Sequence, residues 1–233
     1  MWDRVAADLR AAGHQVVAPD LPGGGLLAAG ETVSVEDMVD HALVGLPDTS
    51  GSWIVVGHSG GGIVATMVAE RMVAKRPDSI FGLVYLAGMM LPSGMSFPEA
   101  CTIAGSIPPQ GIEPYLQPTA DGLSTLVPPE AAVAIFFQRA QPADAIAAAR
   151  RLQSQLDSSW MIVPSWTAAG AGTVPRFYIE ALQDRSVPLA VQRTMQRLVP
   201  GARIATIDTD HAPQLSAPGE VAEYLLGLAK GHT

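Results

Sequence analysis

Helical and strand-like patterns alternate along the chain, and most of the strand-like runs are apolar without interruption. Together these two observations predict an α/β protein built on a mostly parallel sheet covered by helices on both faces. A third feature interrupts the pattern: a proline-rich stretch over roughly 92–174, after which the strand–helix alternation resumes. A sheet that needs both halves argues for one domain over 1–233 with an inserted cap at 92–174, not for two independent domains.

Residues 2–12 have helical spacing, with Trp2, Val5, Leu9 and Ala12 on one face and Gly13 as the stop. The β-branched run at 15–18 reads as a first strand, ended by Pro19, Asp20, Leu21, Pro22 and three glycines. Ser34 is a suitable N-cap for a helix over 35–46, with Glu36 and Asp37 in its first turn. Trp53 to Val56 is fully apolar and predicts a buried strand, followed by a glycine-rich turn and a helix over 63–75. A third strand is expected at 79–86, and the cap is inserted after it. Within the cap, Pro92, Pro98, Pro108–Pro109, Pro114, Pro118 and Pro128–Pro129 precede two expected helices at 130–140 and 143–156. Strand 176–179, helix 188–198, strand 202–207 and helix 218–229 complete the pattern.

Composition narrows the function. Of 233 residues, 48% are apolar, which is ample for a core and excludes a disordered chain. The formal net charge is −8 and no Lys/Arg cluster is visible, so a nucleic-acid partner is not expected. A neutral or apolar small molecule suits this surface better. The single cysteine, Cys101, excludes an internal disulfide framework and a cysteine-based zinc site, and it reads as a small, partly buried residue. The longest apolar run, Ile80 to Leu91, is too short to span a bilayer, and the N-terminus lacks the apolar stretch of a signal peptide. Cytoplasmic location without membrane attachment is the expectation.

The chemistry starts at Gly57-His58-Ser59-Gly60-Gly61, which satisfies G-x-S-x-G between an expected strand and an expected helix. That context places a serine on a sharp turn, lets neighbouring backbone pass close to the glycines, and aims the helix N-terminal amides at the serine. A serine nucleophile needs a base, itself oriented by an acid, in the chain order Ser, acid, His. Of five histidines, His14 precedes an early strand, His41 lies in an amphipathic helix and His232 is in the tail. His58 is turned away from Ser59 by the elbow. His211 alone follows a late strand and precedes the final helix, so it is the expected base. Asp184, just beyond the preceding strand, is the expected acid. Glu180 lies too near that strand, and Asp208 and Asp210 read as local carboxylates that cap the His211 loop.

These residues carry a resemblance. The chain resembles the α/β-hydrolase-fold serine esterases, most nearly the branch of plant methylesterases and hydroxynitrile lyases with their bacterial relatives. The matching stretches are Trp2 to Leu9, Val17 to Gly23, Gly57 to Gly62, Leu83 to Ala87 with Pro92, Glu180 to Pro188, and Asp210 to Pro218. The likeness implies Ser59 as nucleophile, His211 as base, Asp184 as orienting acid and Gly60 as one oxyanion-hole amide. The lyase branch uses a lysine directly after the catalytic histidine, and here position 212 is alanine, which favours the esterase branch.

Relatives also carry a strand before the first helix, with a loop that supplies a second oxyanion amide, and this chain begins at that helix. Three explanations stand side by side: a shortened chain, a different entry to the sheet with weakened activity, or a strand donated by a partner. The expected reaction is hydrolysis of a small, largely apolar carboxylic ester through an acyl-enzyme, without metal or organic cofactor. His58, Met89, Phe136, Trp160 and Trp166 are the candidate substrate wall, since Met and aromatic residues suit an adaptable apolar pocket. A hydrolase-like binding protein or a non-hydrolytic biosynthetic enzyme is the alternative, and a homodimer is left open.

Overall fold

In the computed structural model, which describes residues 1–24, 30–47, 51–106 and 111–231, the chain opens with helix α1 (Asp3–Ala11). His232 and Pro108–Pro109 lie outside the described residues. The helix ends where Gly13 takes φ 90°, a left-handed stop that only glycine adopts without strain. The next stretch departs from expectation: 14–21 forms no strand, and Val17 is exposed. A strand needs a neighbour for its N–H and C=O groups, and among the described residues none pairs with this run. As a result, the 92–174 segment follows the second strand of the structure and not the third.

Helix α2 (Val35–Val44) starts at a capping box, in which the Asp37 N–H donates to Ser34 Oγ and the Ser34 N–H donates to the Asp37 carboxylate. Strand β1 (Trp53–His58) leads into helix α3 (Gly61–Lys75), and strand β2 (Ile80–Leu86) follows. The later scaffold consists of β6 (Arg176–Ala181), α7 (Leu189–Leu198), β7 (Arg203–Ile207), the short α8 (Pro213–Ser216) and α9 (Pro218–Lys230). Between β2 and β6 come α4 (Phe97–Ile103), β3 (Gln117–Pro118), β4 (Ser124–Leu126), α5 (Pro129–Ile135), α6 (Pro142–Ala149) and β5 (Gln155–Leu156).

The main sheet runs β1-β2-β6-β7 and every pairing is parallel. Period-two alternation in β2 makes it a divider between two cores. Leu83 and Tyr85 pack with Ala65, Ala69 and Val73 of α3, while Val84 and Leu86 pack with Val5 of α1 and Val221 and Leu225 of α9. Strand β6 repeats the pattern, with Tyr178 on the α3 side and Phe177 and Ile179 on the other. Strand β1 forms as the apolar run suggests, and Trp53 to Val56 are half-buried, since among the described residues β1 is paired only with β2.

The intervening segment also differs from its sequence pattern. Three short strands form a small antiparallel sheet, β3-β4-β5, and both expected helices are shorter than their periodicity suggested. Helix α5 ends at Ile135, beyond which the Phe136 and Phe137 N–H groups both turn to Ala132 O at 2.8 and 3.1 Å, and the Arg139 N–H donates to the side chain of Asp210 at 2.7 Å. Helix α6 begins at Pro142, whose fixed φ and missing N–H suit a first helical position.

Candidate active site

Ser59 occupies the turn between β1 and α3 with φ 52°, a left-handed conformation that costs a non-glycine residue roughly 1–2 kcal/mol. Neighbouring backbone holds it there. Its carbonyl accepts from the Gly62 N–H at 2.9 Å and the Met89 N–H at 2.8 Å, and its N–H donates to Leu86 O at 3.4 Å. Close approach dictates two of the glycines. A Cβ on Gly57 would lie 2.5 Å from Gly61 O, and one on Gly62 would lie 2.7 Å from Met89 N. A Cβ on Gly60 or Gly61 would meet nothing within 4 Å, so steric need falls on Gly62 and not on the second glycine of the motif. The Gly60 N–H, at the N-cap of α3, donates to no acceptor among the described residues.

The loops after β6 and β7 meet at a buried pair. His211 Nδ1 donates to Asp184 Oδ2 at 2.8 Å, a carboxylate oxygen being able only to accept. The other oxygen, Oδ1, accepts the Ser186 and Val187 N–H groups at 2.7 and 2.9 Å. The Asp184 loop is itself braced by the fully buried Gln192, whose Nε2 donates to Ala181 O and Val187 O. With the proton held on Nδ1, the Nε2 of His211 is left free to accept one.

Each rival carboxylate is committed elsewhere. Glu180 takes a two-pronged contact from Arg193 and a third bond from Gln196. Asp208 accepts from Gln183 Nε2. Asp210 caps its own loop through Ala212 N and Ser216 Oγ and reaches across to Arg139 N.

The expected substrate wall divides. Phe136 lies against His211, with ring centres 5.2 Å apart. Met89 is half-buried in the core beside α3 and meets Ser59 through its backbone. Trp166 is occupied by the scaffold, its indole N–H donating to Leu91 O at 2.9 Å and its ring packing against the α3 side of the sheet. Trp160 sits in a short 3₁₀ turn (Asp157–Met161) and is 39% exposed. Both nitrogens of His58 bond within the protein. Nε2 donates to His211 O at 2.6 Å, and Nδ1 accepts from Gln214 Nε2 at 3.2 Å. Burial, followed by the neighbouring His211 charge, pushes the His58 pKa down to about 3. No pattern in its neighbourhood marks Gln214, a buried amide in a four-residue helix.

The 134–139 stretch is fastened to both loops. Gln138 Nε2 donates to Gln183 O at 2.8 Å, Arg185 donates to Ala134 O at 3.0 Å, and Arg139 N meets Asp210. Among the described residues no group of three or more His, Cys, Asp and Glu side chains could hold a metal ion, and no helix is long and apolar enough to cross a membrane. Cys101 is buried and forms no disulfide.

The parallel sheet carries a strained serine at the end of β1 and a His–Asp pair on the loops after β6 and β7, the arrangement of the nucleophile-elbow hydrolases. The chain belongs to the alpha/beta hydrolase family, whose sequence profile matches residues 1–224. It is similar to a pyrethroid hydrolase of Sphingobium wenxiniae, 31% identical over 238 residues that span 98% of this chain and 82% of that protein. Methylesterase 1 of Arabidopsis thaliana is 25% identical over 98% of this chain and 90% of its own length. Among solved structures, a pyrethroid hydrolase from Sphingobium faniae superposes with TM-score 0.82 at 27% identity, covering 98% of this chain and 91% of that one. A tomato methylketone synthase I variant complexed with beta-ketoheptanoate shares the fold, with TM-score 0.80 at 21% identity over 100% of this chain and 93% of that one. The chain is accordingly an enzyme, a carboxylic ester hydrolase by class.

Proposed function

We propose that the chain cleaves a carboxylic ester of a small, largely apolar molecule through an acyl-enzyme, with Ser59 as nucleophile, His211 as general base and Asp184 as orienting acid. The observation that carries this reading is the Asp184–His211 bond of 2.8 Å, which commits the imidazole to the tautomer whose Nε2 can take a proton. Ser59 Oγ attacks the ester carbonyl while His211 Nε2 accepts its proton. The developing oxyanion is met by the Gly60 N–H at the start of α3, where the helix dipole favours negative charge. The protonated imidazole hands its proton to the leaving alkoxide, and the alcohol departs. A water then gives its proton to His211 and attacks the acyl-enzyme, releasing the acid and restoring Ser59.

In this reading the 92–174 segment serves as a cap, with Phe136 over the imidazole supplying an apolar wall, and the pyrethroid hydrolase likeness supports an apolar ester as substrate. The test is hydrolysis of short p-nitrophenyl esters by the protein and by Ser59→Ala. The expected result is ready turnover by the former and a loss of at least about 10³-fold in kcat in the latter. Equal rates in the two proteins would overturn the proposal.

A further inference from the structure

Two polar side chains near His211 take no part in the acyl-transfer steps above: the half-buried His58 and the buried Gln214. Gln214 is fully buried, and its Oε1 has no partner among the described residues. Leaving such an acceptor unsatisfied costs about 1–3 kcal/mol, and an apolar side chain of similar volume would avoid that cost. The other end of the amide is engaged: its Nε2 meets His58 Nδ1 at 3.2 Å.

The direction of this chain of bonds has one solution. The His211 carbonyl can only accept, so the 2.6 Å contact puts a proton on His58 Nε2. An amide NH₂ facing Nδ1 leaves that nitrogen bare, and the ring is neutral. Turning the Gln214 amide over would set a carbonyl oxygen against Nδ1 and demand a second ring proton. Burial and the adjacent His211 ring, with centres 4.8 Å apart, both oppose that charge. The sequence of donors is therefore Gln214 to His58 to the His211 carbonyl. His58 is also the last residue of β1 and is covalently joined to Ser59. A single imidazole thus spans the turn that carries the serine and the loop that carries the base, across 153 positions of sequence.

We infer that His58, oriented by Gln214, is a positioning residue that sets the reach of the His211 imidazole toward Ser59. The inference rests on the proposed roles of Ser59 and His211. It differs from a packing role in what it predicts: a displaced base slows the chemical step and leaves substrate binding intact, and a shift near 1 Å costs about 10²-fold.

The experiment compares His58→Phe, His58→Gln and Gln214→Met on a p-nitrophenyl ester, with Ser59→Ala as control. His58→Phe keeps the bulk and removes the donor, so kcat should fall about 10²-fold with KM within about threefold. His58→Gln can still donate to the carbonyl from a similar reach and should recover at least about tenfold of that loss. Gln214→Met, which keeps the length of the side chain and removes the amide, should lower kcat about tenfold without moving KM. Nitrogen-detected NMR of the intact protein should show the His58 ring neutral, protonated on Nε2 and untitrated from pH 5 to 8. Wild-type kcat in His58→Phe or in Gln214→Met, no recovery in His58→Gln, or a ring that titrates in that range would overturn the inference. Full activity in Ser59→Ala would instead refute the acyl-enzyme reading, and the NMR result would still decide the bonding pattern.

Discussion

Replacing Asp184 with asparagine isolates the contribution of one proton's position. The native carboxylate divides its work: Oδ1 accepts two backbone N–H groups, of Ser186 and Val187, and Oδ2 accepts His211 Nδ1–H. An asparagine has a single acceptor oxygen, and the two backbone donors claim it. Its NH₂ then faces His211 Nδ1 and is satisfied only if that nitrogen gives up its proton. The proton moves to Nε2, the atom that must accept from Ser59. In serine hydrolases this wrong-tautomer state costs about 10⁴-fold in kcat, equivalent to about 5.5 kcal/mol of barrier.

The asparagine could escape by flipping, which leaves both backbone N–H groups facing an NH₂ at about 1–3 kcal/mol each. Even at the cheaper end of that range the flipped form holds only about 3% of the population, so at least a 30-fold loss is expected. Steady-state kinetics with a p-nitrophenyl ester measures kcat and KM, and thermal unfolding of the same sample confirms that it is folded. A loss of kcat under tenfold, or a change confined to KM, would refute this account of the acid.

Three further outcomes follow from the structure. Asp210→Ala strips the acceptor from Arg139 N, Ala212 N and Ser216 Oγ; a loss of about 3 kcal/mol, read by calorimetry as a fall of roughly 6–12 °C in Tm, is expected, and a shift under 2 °C would contradict it. Gly170→Ala would drive a Cβ into the Glu70 carboxylate, which accepts from Thr167 N, Thr167 Oγ1 and Ala171 N; overpacking of this kind should cost about 1–3 kcal/mol by urea unfolding, and an unchanged midpoint would show that Glu70 yields freely. The His58 pKa, near 3 in the folded protein against an ordinary 6.5, means that the unfolded chain takes up the proton first as pH falls. Stability should therefore decline from about pH 6.5 toward pH 3 by up to about 1.4 kcal/mol per unit. Urea midpoints at pH 7.5 and 5 should differ less in His58→Gln, and equal differences in the two proteins would rule out this linkage.

Local pattern and chain order made much of this site readable. A glycine-rich turn between an apolar strand and a helix placed Ser59 at a strained elbow, and the sequence order of strand ends brought Asp184 against His211. What escaped was set by partners distant in sequence. The run at 15–18 has the residues of a strand, yet pairing depends on a neighbour that its own composition does not supply. The small β3-β4-β5 sheet joins residues 117–118, 124–126 and 155–156, too short for any periodicity to register. Nothing in 129–140 reveals that helix α5 ends at Ile135 or that the Arg139 N–H will go to Asp210. Gln214 sits in an apolar neighbourhood as an exception, and only its distance to His58 gives it meaning.

The fastening of 134–139 to the Asp184 and His211 loops bears on how this enzyme can change over generations. Phe136 leans on His211 from a stretch whose neighbours bond to both loops. Under the proposed roles of these residues, a mutation that reshapes this stretch also disturbs the triad, so new substrate tastes acquired there carry a penalty in turnover. Trp160 and Met161, exposed on the 3₁₀ turn at Asp157–Met161, can vary at little cost to the fold. Selection for new esters should therefore leave 134–139 conservative and find its room at exposed positions of the insertion such as these.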